Sequence, residues 1–389
     1  MESWKMSKHQ SRLALLAVTG LLITTGCSSG SGTTAGAGSP VAALDAATLG
    51  PSEIIGVGPD GDPAATIDDL ALTPAEADKV RAGNFEVGLV MHTLNLDWSK
   101  LQIKGITDTF NKYGVKIKST TAAEYKVDKQ TSDLENTIQQ KPDGIISIPV
   151  DNTAMAPAFK KVQAAGIKLV FMDNVPEGLK HPADYSSMIS ADSQGNGQIA
   201  AEILAAQIPK DGTVGIVDFG VDFFVTNQRT LGVTDWLAKN RPDIKVKKTT
   251  FTDTSKVSQT AGDFLTANPD VRGLFVVWDA PAMDTLSAMR AQGINIPVTT
   301  IDLGLESALE LASGGPLKGL GAQRPYDQGV AEAMAMVNAL IGKKPPAWVG
   351  VKSLAVMQSN LLEAYGEVWK TDPPQEVSDA CEQAGNACR

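Results

Sequence analysis

The chain has 389 residues, 43% of them hydrophobic and 20% charged, a globular composition that supplies one large or two ordinary domains and excludes disorder for its bulk. Its formal charge of -10 argues against nucleic acid or anionic lipid headgroups as partners, because both require basic surface.

Taken in chain order, the first 26 residues read as a targeting segment. Lys5, Lys8 and Arg12 precede an apolar run from Leu13 to Ile23, which is shorter than the roughly 20 residues a bilayer-spanning helix needs. Removing the segment takes away three cations and one acid, which leaves about -12 on the remainder. Thr24-Thr25-Gly26-Cys27 follows and resembles the lipobox of bacterial lipoproteins, with Thr24 in place of the usual leucine. The resemblance implies that Cys27 becomes the first mature residue and carries lipid, anchoring an exported protein at the outer face of the cell membrane. Ser28 to Ser39 has linker composition. Residues 40–72 are acidic and turn-rich, so loose structure wrapped on the body, or partial disorder, is expected. Gly56 to Gly61 matches G-x-G-x-x-G, but Pro59 and Asp62-Pro63 make a turn where a dinucleotide site needs a helix to begin. Asp60, Asp62, Asp68 and Asp69 lack the calcium-loop pattern and read as a solvated acidic stretch. Thr73-Pro74-Ala75-Glu76 is a capping box with proline at the first helical position, which predicts a short helix to about Ala82.

From Phe85 onward short apolar strands alternate with amphipathic stretches. The predicted strands are 87–91, 115–120, 144–148, 168–172, 188–190, 213–219, 245–251, 273–277, 297–301 and 319–322, with helices such as 97–113, 194–207 and 327–341 between them. Continuous apolar strands separated by helices imply parallel sheets covered on both faces. About ten of them exceed one small sheet, so the fold class is α/β with two doubly wound parallel-sheet lobes. Ligands in such sheets bind beyond the carboxyl ends of the strands. The residues there are His92-Thr93, Pro149-Val150-Asp151, Asp173-Asn174, Asp192, Asp222-Phe223, Trp278-Asp279, Asp302 and Gln323, without lysine or arginine. Carboxylates and amides bond vicinal hydroxyls while flat rings cover C–H faces, so this set describes a site for a small neutral polyhydroxylated ligand.

Enzyme chemistry lacks its parts. The histidines are His9, His92 and His181, no cysteine falls inside the body, and no nucleophile elbow or P-loop is present, so neither a His/Cys metal cluster nor a cofactor site is expected. Cys381 and Cys388 lie in the last nine residues; export permits a disulfide between them, and two free thiols on a frayed tail are the alternative.

Seven segments in order carry a resemblance to the type I periplasmic sugar-binding proteins, the ribose-binding-like group that serves ABC importers. They are Met91 to Asn95, Pro142 to Pro149, Ala165 to Asp173, Asn227 to Gly232, Asn268 to Phe275, Ile301-Asp302 and Gln323 to Gly329, within a span of about 85–365. The resemblance implies two lobes joined by a three-strand hinge, with crossings near Ala191-Asp192, Gln323-Arg324 and Ser353-Leu354. It divides the chain into a signal peptide (1–26), a lipidated and acidic extension (27–83), an N-terminal lobe (84–191 plus 324–353), a C-terminal lobe (192–323 plus 354–368) and a tail (369–389). By position it puts ligand contacts on His92, Asn95, Trp98, Asp173, Asn174, Asn227, Trp278, Asp302 and Gln323, and gives Arg229 a helix-anchoring role. Asn174 and Asn227 stand where ribose binders usually have arginines, and Trp98-Ser99 where they have two phenylalanines, which points away from ribose and toward another pentose or a short polyol. The implied protein is a monomer that delivers ligand to an ABC permease and its ATPase subunits. A receptor domain that signals ligand would share the fold and pocket. A transcription regulator is excluded by the targeting segment and the missing DNA-binding helices.

Overall fold

The computed structural model describes residues 44–385 and 387–388; the apolar run, Cys27 and the linker lie outside them. The elements alternate as the apolar pattern predicts. First come α1 (Pro74–Gly83), β1 (Glu86–Met91), α2 (Asp97–Tyr113), β2 (Lys116–Ala122), α3 (Val127–Gln139), β3 (Gly144–Ser147), α4 (Ala156–Ala164), β4 (Lys168–Met172) and β5 (Ser187–Ala191). After a first crossing come α5 (Ser193–Ala205), β6 (Thr213–Phe219), α6 (Phe224–Asn240), β7 (Lys245–Phe251), α7 (Val257–Ala267), β8 (Val271–Val276), α8 (Asp279–Gln292), β9 (Val298–Ile301), α9 (Leu305–Ala312) and β10 (Leu317–Ala322). The chain then returns through α10 (Pro325–Leu340), β11 (Trp348–Val351), β12 (Leu354–Val356), α11 (Leu361–Trp369) and α12 (Gln375–Gln383).

Two six-stranded sheets result, in the orders β11-β5-β4-β3-β1-β2 and β12-β10-β9-β8-β6-β7. All pairings are parallel except β10 with β12. The inner strands are buried on both faces, whereas the edge strands β2 and β7 alternate and carry Lys116, Lys118, Lys245 and Lys247, charges that discourage pairing with another chain. The described strands number twelve against the ten expected. The additions, β11 and β12, are four and three residues long, too short for a period to be read from them.

Helix ends follow local chemistry. Thr73 and Glu76 cap α1 reciprocally, and Asn84 and Gly114 end α1 and α2 in left-handed backbone. Two helix pairs cross at glycines. A Cβ on Gly105 or Gly329 would strike the Tyr326 or Gln102 carbonyl where α2 meets α10, and one on Gly197 or Gly232 the Arg229 or Gln194 carbonyl where α5 meets α6. Backbone-to-backbone packing of this kind fixes the helix positions tightly, and with them the side chains that α6 and α10 aim at the strand ends.

Residues 44–70 are fixed to the body through specific contacts. Leu44, Ala46 and Leu49 pack on Ile199, Ile203, Ala355 and Met357, Gly50 N donates to Glu202 at 2.7 Å, and Ala65 pairs with Val349 beside β11. The Gly56–Gly61 segment is a turn, closed by Gly61 N to Gly58 O and Gly58 N to Asp62 O. At the first crossing the buried Asp192 carboxylate accepts from Ile55 N, Gly56 N and Gly195 N, each at 3.0 Å, while Ser353 of the third crossing donates to its carbonyl at 2.8 Å. The tail is packed rather than frayed: Cys381 and Cys388 are joined as a disulfide and buried in the core of the second lobe.

Candidate functional site

The carboxyl ends of the two sheets face a common cleft of about 840 Å³. Asp173 directly follows β4 and Asp302 directly follows β9, and both residues have left-handed backbone, at φ 57° and 75°. Aspartate is among the few residue types that tolerate this conformation, and its recurrence at both strand ends turns the two carboxylates alike at the ends of their sheets.

Around Asp302 the second lobe supplies partners. Gln323, in the second crossing, donates to Asp302 at 2.7 Å. Arg229 of α6 is 4% exposed, donates to the Val277 carbonyl at 3.1 Å and lies 3.6 Å from the other Asp302 oxygen. Asp279 accepts from Ala280 N at 2.8 Å and Gly304 N at 3.1 Å. Asp173 receives a single donor, Gln328 of α10, at 3.3 Å. Burial raises the Asp173 carboxyl to about 7, with Arg229 opposing the rise and Asp302 adding to it. Burial also raises Asp302, against Arg229 and the Gln323 hydrogen bond, and raises Asp279, reinforced by the Asp302 charge. Removal from water outweighs one guanidinium shared among three acids.

Two aromatic groups form the walls. His92 meets Trp98 edge-on at 5.7 Å and Tyr125 at 5.0 Å. In the other lobe Trp278 packs against Phe219 and Phe251, each at 5.4 Å. Burial lowers the His92 imidazole to about 4, so the ring is neutral at physiological pH. His92 Nδ1 and Trp98 Nε1 are buried without a protein partner, an arrangement that leaves them to a ligand's hydroxyls.

Of the residues implied by resemblance, His92, Asn95, Trp98, Asp173, Trp278, Asp302 and Gln323 line this cleft. Asn174 and Asn227 do not. Asn174 is fully buried and accepts from Phe224 N at 2.9 Å, tying the first lobe to the start of α6. Asn227 is exposed and donates to Asp222 at 2.6 Å. A cation reaches the cleft from a helix rather than from a strand end: Arg229, assigned to helix anchoring, both anchors α6 to Val277 and lines the cleft. Phe223, read at a strand end, lines it too, as do Tyr125 and Trp369, which went unrecognised; Tyr125 lies in the loop after β2, beyond the residues directly at the strand end.

Residues 87–344 match the family model of the periplasmic binding protein domain. The ribose import binding protein of Bacillus subtilis is 28% identical over 274 residues, covering 70% of this chain and 88% of that relative. The xylitol-binding protein of Mycolicibacterium smegmatis is 25% identical over 235 residues, covering 59% and 66%. A crystal structure of an ABC transporter solute-binding protein from Mycobacterium smegmatis with bound glycerol superposes with a TM-score of 0.65 at 20% identity, over 71% of this chain and 95% of that one.

Proposed function

This chain belongs to the periplasmic binding protein family, in its type I sugar-binding group, and from that premise we propose that it is the substrate-binding component of an ABC importer. It captures a small neutral sugar or sugar alcohol, a pentose or short polyol, between its lobes and delivers it to a membrane permease with ATPase subunits. The observation that carries the reading is the pair Asp173 and Asp302, presented by equivalent strand ends of the two lobes into one aromatic-walled cleft. A carboxyl group serves hydroxyls in either state, accepting from them when ionised and both donating and accepting when protonated, and the rings of Trp98 and Trp278 suit the C–H surface left over. Among the described residues, an anionic ligand would meet seven acidic side chains and one arginine lining a water-poor cleft. The relatives named for ribose and xylitol support the ligand class.

The same reading places the lobes at 84–191 plus 324–353 and 192–323 plus 354–368, with the extension before them and the tail after. They close on ligand by hinge motion at the three crossings. Processing at Cys27 gives a lipid-anchored, monomeric protein outside the cell membrane. A thermal-shift screen of neutral pentoses and pentitols tests the assignment, since a ligand at 100 times its Kd stabilises by about 2.7 kcal/mol. A screen in which none of them raises Tm, while an unrelated solute class does, overturns it.

A further inference from the structure

The loop from β2 to α3 holds two consecutive bulky residues in left-handed backbone, Glu124 at φ 50° and Tyr125 at φ 58°. Glycine or asparagine is the unstrained choice there. The loop is pinned to the segment after β1: Tyr125 N donates to the His92 carbonyl at 3.1 Å and Ala123 N to that of Met91 at 3.0 Å. The Glu124 carboxylate accepts from Thr93 Oγ1 and Asn95 Nδ2, both at 2.9 Å. All this fixation delivers a residue that is 59% exposed and stands outside the buried hydrophobic clusters, although burial of its hydroxyl end pushes the phenol up to about 12. Its edge meets His92, and it lines the cleft. Strain retained without a packing return points to use.

We propose that Tyr125 is a ligand-contacting residue that sets specificity: its ring closes over bound sugar or polyol as a third aromatic surface beside His92 and Trp98, and the Glu124 clamp holds it there. The inference rests on the ligand class proposed above. Covering a carbon face without bonding its hydroxyls rewards ligands by the stereochemistry of their C–H groups, so Tyr125 discriminates among isomers that Asp173 and Asp302 accept alike. Ordering of the exposed ring costs little, because a tyrosine has two side-chain torsions.

The test compares wild type with Y125A, Y125F and Y125G by calorimetry, using xylitol, ribitol and D-ribose as probes, and by thermal melts without ligand. For the best probe, Y125A weakens binding roughly 10-fold, the equivalent of losing one covered ring face, and narrows the spread among the three. Y125F keeps most of the affinity. Without ligand, Y125G melts roughly 2 °C above Y125A, because glycine alone relieves the left-handed strain. Wild-type binding that Y125A leaves unchanged in affinity and isomer preference overturns this inference and spares the ligand class. A Y125G melt at or below that of Y125A overturns its strain argument. Wild type binding none of the probes is the failure of the ligand class itself, and this inference falls with it.

Discussion

Replacing Asp173 with asparagine stabilises the ligand-free protein above neutral pH while it weakens ligand binding. Asp173 is 4% exposed, and its carboxyl sits at about 7 rather than at 3.8, chiefly because burial penalises the ionised form. An acid whose folded value is raised binds more protons folded than unfolded, so its contribution is fully present below about pH 4 and is lost as pH rises through about 7. The interval is worth at most about 4 kcal/mol. Asparagine removes that penalty, keeps an oxygen for Gln328 Nε2 and tolerates φ 57°. It must bury an amide in exchange, which offsets part of the gain, so D173N exceeds wild type by about 1 to 2 kcal/mol at pH 8 and by nothing near pH 4. Urea unfolding across that range measures the difference. Losing a charged acceptor costs about 1.5 to 3 kcal/mol of binding, or roughly 10- to 150-fold in Kd. A D173N protein less stable than wild type at pH 8, or a difference independent of pH, refutes the burial argument.

Asp192→Ala strips three backbone donors of their shared carboxylate and uncaps α5; it costs about 3 to 5 kcal/mol in denaturant unfolding and exposes residues 44–58 to limited proteolysis. Replacing Cys381 and Cys388 together by serine costs about 2 kcal/mol, since the disulfide closes a short loop, and the loss shows first as faster hydrogen exchange in α12. Cys27→Ser, in cell fractionation, moves the protein from the membrane to the soluble fraction.

The repeating strand and helix pattern was legible because parallel strands are continuously apolar and helices keep a 3.6-residue period. The helix 97–113 was read to the residue, and Gly114 ends it in left-handed backbone. Side-chain direction at the cleft was less legible. Asn227 and Arg229 stand two residues apart, about 200° around a helix, so only one can face the cleft. α6 docks on α5 through Gly232, and that docking, invisible in one sequence, turns Arg229 inward. Asn174 follows a left-handed aspartate, which sends its side chain toward α6 rather than along the strand axis. The extension was hard to read for another reason. Leu44, Leu49, Ile54 and Leu70 anchor it at irregular intervals, and irregular spacing carries no periodic signal.

The central claim is that the cleft selects neutral hydroxylated ligands. Calorimetry of the wild-type protein at pH 7.5 with a five-carbon alditol and with the aldonic acid of the same configuration tests it most directly, because the two differ at one end only. The account predicts binding of the alditol and an acid weaker by roughly 100-fold, as the added carboxylate must enter beside Asp173, Asp279 and Asp302, where Arg229 is the one lysine or arginine lining the cleft among the described residues. An acid that binds as tightly as the alditol, or more tightly, contradicts it.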